Sequence, residues 1–382
     1  MKKNELTSVF IVVAIILIAI GGGLYTKSRN KTTTSTSVKL KNPITLSELC
    51  NCSMLTGDET GSSIVTVSTG AKVPTIAKNA DPSFSTLEGR SLSPTGKAEL
   101  VVSEDYTKLY YIVFPEGTPQ LRFTAPEGDA VNYVVWSPDG TLAIFGVGRV
   151  QNDMPSDTLP TAVYSLDIAK GTTAKLFTTA NVSGSALPSV VPVTITNDGK
   201  RVLVASMNQT GVSFYSWDRG TTTLKAVTVP FALDTYFSPT AGASTRLLWS
   251  TEEGLHATLL KDFSDKVYPV KTWSDGPFGV PSPDGTKVVY LKANDAGNAG
   301  IPTVIDLNSG EESALTSDTV TDTSGIAASM WTPDNSWFIF TDFSSGTAIY
   351  RGLNVTEKSQ KIRDIVDPLL TETNQLYAFL KK

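Results

Sequence analysis

The chain has 382 residues, enough for one large core or for two or three ordinary domains. With 32 Lys and Arg against 37 Asp and Glu, its net charge is −5, which argues against broad binding to a phosphate backbone and so against a nucleic-acid partner. Two cysteines exclude a disulfide framework, and a single histidine, His256, removes much of the catalytic repertoire.

Residues 1–8 form a short tail that carries Lys2 and Lys3. From Val9 to Tyr25 the chain reads VFIVVAIILIAIGGGLY without a charge. A helix over this run covers roughly 25 Å, enough for the hydrocarbon core of a bilayer. A cleaved signal peptide is the alternative, but the run is longer than a typical signal core and no A-x-A site follows. The expectation is one uncleaved transmembrane helix at 9–25. Long domains translocate largely regardless of nearby charge, so the rest is expected outside the cytoplasm, in the cell envelope of a single-pass membrane protein.

Residues 26–58 read as a linker and a short segment before the domain. Positions 26–43 (TKSRNKTTTSTSVKLKNP) are polar, rich in Ser and Thr and without periodicity. Thr45-Leu46-Ser47-Glu48 has capping-box spacing and predicts one short helix. Cys50-Asn51-Cys52 follows. A metal pair would need further soft ligands and a lipid anchor would need a small-residue box nearby, so the two read as unpaired thiols without a role.

Residues 59–382 are organised by a repeated turn. Ser137-Pro138-Asp139-Gly140 and Ser282-Pro283-Asp284-Gly285 are its full forms. Ser93-Pro94-Thr95-Gly96, Thr196-Asn197-Asp198-Gly199, Ser238-Pro239-Thr240-Ala241 and Thr332-Pro333-Asp334-Asn335 are degenerate copies. Proline presets φ, Asp is tolerated next, and Gly supplies a residue with φ > 0, so each copy predicts a hairpin. The copies recur at intervals of 44, 59, 42, 44 and 50 residues. Strand patterns at that period predict an all-β β-propeller with one four-stranded sheet per repeat.

One repeat shows strands a (133–136), b (141–146), c (162–168) and d (174–177). The turns between c and d recur at 115–117, 217–220 and 306–310. At the chain ends, 368–374 and 375–380 resemble strands a and b, and 63–67 with 73–77 resembles a c–d pair. Ring closure by both ends gives seven blades; six is the alternative. No free sheet edge remains in such a ring.

The Ser-Pro-Asp-Gly turn followed by an apolar strand, at 137–140 and 282–285, resembles TolB-type and WD-like propellers over roughly residues 60–382. That likeness implies the fold and not the function, since such propellers serve many roles. Ser216–Thr223 is similar to the Asp-box turn of sialidase-type propellers, which implies a structural turn.

Catalytic motifs are sought without success. Ser-His-Asp chemistry needs an imidazole, and His256 lies in an expected strand c. No G-x-S-x-G, H-E-x-x-H or G-x-x-x-x-G-K-[ST] occurs. The expectation is therefore no enzyme, no catalytic or metal residue and no cofactor, with calcium the one ion considered. Its hard donors would be Asp153 and Asp157 in one loop and Asn294, Asp295 and Asn298 in another.

The a–b and c–d turns are tight, whereas the long connections fall at the opposite strand ends: 148–160, 178–192, 292–302 and 317–328. Long loops on a rigid scaffold are where binding surfaces sit. The candidate partner-binding residues are Asn152, Asp153, Met154, Asp157, Asn294, Asp295 and Asn298. The partner expected is an envelope protein or peptide, with the membrane engaged only through the N-terminal helix. The alternative is an enzyme acting on envelope glycans through loop carboxylates near the central channel.

Overall fold

The computed structural model describes residues 42–58, 61–76, 90–150, 158–182, 186–196, 198–208, 211–227, 238–239, 246–251, 253–259, 262–272, 281–321, 326–342, 349–357, 361–367, 370 and 375–380. A four-residue helix α1, Leu46–Leu49, comes first, with Glu48 accepting a 2.8 Å bond from the Thr45 N–H. Strands then follow almost without interruption. β1 (Ser53–Asp58), β2 (Gly61–Thr66) and β3 (Lys72–Pro74) open the chain. The next group is β4 (Arg90–Leu92), β5 (Ala98–Val102), β6 (Lys108–Val113) and β7 (Gln120–Thr124). After it come β8 (Asp129–Trp136), β9 (Leu142–Arg149), β10 (Ala162–Asp167) and β11 (Thr172–Thr178), then β12 (Val191–Ile195), β13 (Arg201–Asn208), β14 (Gly211–Asp218) and β15 (Lys225–Val227). β16 (Ser238–Pro239), β17 (Arg246–Thr251), β18 (Gly254–Leu259) and β19 (Asp265–Tyr268) form the fifth group. β20 (Lys287–Ala293), β21 (Gly300–Asp306) and β22 (Glu312–Ala314) form the sixth. β23 (Ile326–Trp331), β24 (Trp337–Asp342), β25 (Ile349–Asn354) and β26 (Arg363–Asp364) precede the last strand, β27 (Gln375–Leu380).

Among the described residues these strands make seven antiparallel sheets, six of them from consecutive strands. The seventh has the order β27-β1-β2-β3, so strands from both ends of the chain share one sheet. Ser53 pairs with Leu380 and Gly57 with Gln375 across that junction. This closing sheet takes three strands from the start and one from the end, not two from each. The reason is topological: its a and b strands are β27 and β1, and no turn joins them, so the marker that announces strand b elsewhere is missing. β1 consequently lies inside the segment 26–58 that reads as linker, and the globular part begins before residue 59.

Each sheet buries apolar residues against the next, and the last against the first. Val101 and Ile112 meet Ile76 of the closing sheet. Leu100 and Leu109 then pack on Val131 and Trp136, and Ile144 and Val163 on Val202 and Trp217. Phe263 covers Leu203 and Phe214, and Leu255 and Tyr268 pack on Val288 and Ile305. Val289 and Leu291 face Phe338 and Phe340, and finally Trp337 and Ile339 pack on Met54 and Phe379. The first strands of neighbouring sheets also touch, β4 with β8, β8 with β12 and β23 with β27. Trp136 Nε1 donates to the Ser91 carbonyl at 2.9 Å in one such contact. This is β-propeller packing: β-branched and aromatic strands that are apolar on both faces, because both faces meet a neighbour.

The segment before β1 is a second fastening. Ile44 pairs in parallel with Ile365, and its N–H donates to the Asp364 carbonyl. Leu46 and Leu49 are buried in the cluster that joins the closing sheet to β23–β26. Cys50 and Cys52 lie in the same cluster and are joined to each other, which corrects the reading of unpaired thiols. A bend at Asn51 brings their Cα atoms to 5.2 Å, within the span of a disulfide.

One further expectation is corrected. Among the described residues no helix is long and apolar enough to cross a membrane, so the single-pass expectation finds no helix there to carry it. The run 9–25 that suggested it lies outside the described residues.

Candidate functional site

The two ends of the strands differ in how their polar groups are used. At the a–b end the repeated turn forms a closed hydrogen-bond circuit. The Ser137 hydroxyl donates to Asp139 Oδ1 at 2.7 Å and accepts from the Leu142 N–H at 2.9 Å. The same Asp139 oxygen accepts from the N–H and hydroxyl of Thr141 at 3.0 and 2.9 Å. Ser282, Asp284, Thr286 and Lys287 repeat this arrangement, as do Thr332, Asp334, Ser336 and Trp337. Burial alone would raise the Asp139, Asp284 and Asp334 carboxyls. Hydrogen bonds outweigh it and hold all three below their ordinary range.

Sequence reasoning missed one copy, and of another only the first two residues are described. Ser103, Asp105, Thr107 and Lys108 close the same circuit in the b–c turn after β5. Ser-x-Asp-x-Thr was the available signal; Pro and Gly are absent, and Tyr106 itself takes φ +58°. Conversely, Ser238 and Pro239 belong to strand β16, and residues 240–245 lie outside the described residues.

The opposite, b–c end carries the candidate residues. Asn294, Asp295 and Asn298 sit in the turn between β20 and β21. Asn294 Oδ1 accepts from the Asn298 N–H at 3.1 Å, and its amide nitrogen donates to Asn298 Oδ1 at 2.9 Å. Asn294 N–H also bonds the Ala299 carbonyl, so this hairpin is locked from within. Its locked core leaves residues 295–298 exposed. The structure brings Asn294 and Asn298 together as a brace.

Asn152, Asp153, Met154 and Asp157 lie outside the described residues. Only the foot of their loop is seen. Asn132 Nδ2 donates to the Thr158 carbonyl at 3.4 Å, and Val190 N–H to the Pro160 carbonyl at 2.8 Å. Gly146 and Gly148 of β9 make room for that foot: a Cβ on Gly148 would stand 2.4 Å from the Leu159 carbonyl oxygen. Beside it β8 bulges between Asn132 and Val135, where Tyr133 takes φ +56°. The first strands β12, β23 and β27 carry register shifts as well, and bulges re-aim side chains at such positions.

His256 is buried in β18, and its Nδ1 lies 2.6 Å from Asp265 Oδ2, whose other oxygen accepts from the Thr258 hydroxyl. Among the described residues no three His, Cys, Asp or Glu side chains come together to hold a metal ion. Trp217 Nε1 donates to the Thr221 carbonyl, and Thr221 Oγ1 to the Asp218 carbonyl, closing the Asp-box-like turn on itself.

Comparison with known proteins agrees with the fold. No protein-family model and no curated protein sequence matches the chain. Among solved structures it is similar to an oligogalacturonate lyase from Vibrio parahaemolyticus, at 14% identity over 83% of this chain and 89% of that one, with TM-score 0.55. It is also similar to an oligogalacturonate lyase in complex with manganese, at 15% identity over 83% and 89%, TM-score 0.54. TolB from Acinetobacter baumannii aligns over 85% and 82% at 14% identity with TM-score 0.38, too loose a superposition to carry an argument. The expectation that the chain is not an enzyme is overturned by the first two, because enzymes use this scaffold. Among the described residues no three His, Cys, Asp or Glu side chains gather as they would to hold such an ion. At these identities the likeness establishes a propeller fold.

Proposed function

We propose that the seven sheets are the seven blades of one ring and that the chain binds a protein or peptide partner through the loops at its b–c end. The observation that carries this reading is the exposed tip braced at the b–c end, which the a–b turns and the closed turn after β5 do not offer. At the a–b end each turn aspartate already accepts two or three hydrogen bonds from its own turn. At the other end the 295–298 tip is exposed on a braced hairpin, and the residues that follow the candidates 152–157 are fixed at Thr158 and Pro160. Braced tips on a rigid ring lose little entropy on binding, which favours recognition. A net charge of −5 suits a partner with a basic patch.

The test is affinity capture from source-cell extract with the full chain. A variant in which 152–157 and 295–298 are each replaced by a short Gly-Ser turn serves as comparison. The expected outcome is a protein retained by the wild type and lost from the variant at an unchanged melting temperature. Equal retention by both, or by neither, contradicts the reading. The scaffold shared with oligogalacturonate lyases raises a second one, action on a glycan at the same loops. Unsaturated product released from oligogalacturonate by the wild type, and not by the variant, would favour it.

A further inference from the structure

The seam between the closing sheet and its neighbour holds a buried ion pair. Arg90, on β4, reaches past the register of its own row toward Glu99 on β5, with Nη1 3.2 Å from Glu99 Oε1 and 3.3 Å from Oε2. Both side chains are nearly sealed from solvent, at 6% and 1% relative exposure. The same guanidinium donates to the Ser62 hydroxyl of β2, which in turn bonds the Thr75 hydroxyl just after β3. Two sheets are thus bridged by one cation. Main-chain bonds run beside it, from Glu116 N–H to the Pro74 carbonyl and from Gly117 N–H to the Thr75 carbonyl, both 3.0 Å.

Registry fixes which groups face Glu99. Leu92, Glu99 and Ile112 form one row, and Arg90, Val101 and Tyr110 the next row on the same face. From the closing sheet Ser62, Thr75 and the apolar Ile76 meet that face. Among the described residues, the charged or titratable groups there are Arg90 and Tyr110. Among them, too, Glu99 Oε1 accepts no hydrogen bond. A single cation shared with the Ser62 hydroxyl is a thin counterweight for a fully buried carboxylate, whose desolvation outweighs one imperfect pair.

We propose that the Arg90–Glu99 pair is a proton-operated latch on ring closure, tight when the Glu99 carboxyl is neutral and loosened when it ionises. A neutral carboxyl can donate a hydrogen bond from the oxygen that accepts none among the described residues, though Arg90 lies 3.2 Å from it. The ionised form leaves that oxygen charged and dry at the seam where the N-terminal strands meet the body of the ring.

Burial pulls the Glu99 carboxyl up from 4.5 to about 7, against the opposing pull of Arg90. The folded value therefore lies above the unfolded one. The contribution to stability is complete below the unfolded value and is lost as pH rises through the folded value. The window runs from 4.5 to about 7. A shift of this direction weakens the folding equilibrium by roughly a hundredfold across it.

The experiment is denaturant unfolding of the full chain and of Glu99→Gln at several pH values across that window. Hydrogen exchange of peptides from β1–β2 and β4–β6 is followed in parallel. The wild type is expected to lose stability as pH rises, with faster exchange at the seam beyond the intrinsic pH effect. Glu99→Gln, neutral at every pH, is expected to lose that dependence. A wild-type stability that does not fall, or a variant with the same slope, overturns the proposal. Should Glu99→Gln fail to fold, carbon-13 titration of the wild-type Glu99 carboxyl decides: a midpoint at or below 4.5 overturns the latch, and one well above it supports it.

Discussion

At the residue scale the chain repeats one device, a Ser or Thr hydroxyl wedged between an aspartate and the backbone two strands share. Ser137 and Thr332 are fully buried and Ser282 nearly so. Their hydroxyls therefore need partners, and the turn supplies them within five residues. Asp284→Ala would remove three hydrogen bonds and leave the buried Ser282 hydroxyl without its acceptor. About 1–3 kcal/mol of stability should be lost, measured by denaturant unfolding. Asp284→Asn, which keeps an acceptor, should lose less; equal losses would argue against the circuit. Because the turn carboxyls are held low, their contribution is present above the ordinary aspartate value of 3.8 and is lost as pH falls below it. Glu99 has the opposite sign. These turns were legible in the sequence because Pro, Asp and Gly each report a backbone state. Glu99 was not, because a glutamate in the run Ala98–Val102 looks the same whether it points to solvent or into a seam.

Strands and loop feet are held by fit as much as by pattern. β24 is buried along its whole length, and Phe338 has no exposed surface. Alternating patterns never marked such strands, because sheets covered on both faces read as continuous apolar runs. The same logic explains β1. SMLTGD is short, follows Cys50-Asn51-Cys52 and has no turn before it, so nothing local announces a strand that is completed by residues 375–380. The loop foot at 158–160 offers a sharper check. In Gly148→Ala the new methyl group would meet the Leu159 carbonyl, a backbone atom with little freedom to move. A loss of about 1–3 kcal/mol is expected from overpacking, together with weaker partner capture if the foot at 158–160 positions the candidates before it. An unchanged unfolding midpoint would show that the foot yields, and the braced-loop argument would fail with it.

For the molecule as a whole, the decisive feature is that the first and last described strands are both buried in one sheet. Leu376, Phe379 and Leu380 from the end and Leu46, Met54 and Leu55 from the start are all buried, most of them in the cluster that joins the last sheets. The period of the turns was enough to anticipate a propeller and a closure by both ends. It was not enough to divide the closing sheet, since that division depends on which strand lacks a turn. Closure turns a row of sheets into a cooperative ring. Removing β27 from it exposes the edge of β1 and uncovers the apolar residues Trp337 and Ile339 that Leu376 and Phe379 pack among. The most direct measurement is the thermal unfolding of the full chain beside a chain that stops at Glu372. The second keeps every strand but β27. A closed ring predicts a strongly lowered and broadened transition for the shortened chain, with apolar surface newly available to a hydrophobic dye. The same midpoint and sharpness in both would contradict closure by the chain ends, and with it the rigid platform on which the loops are proposed to act.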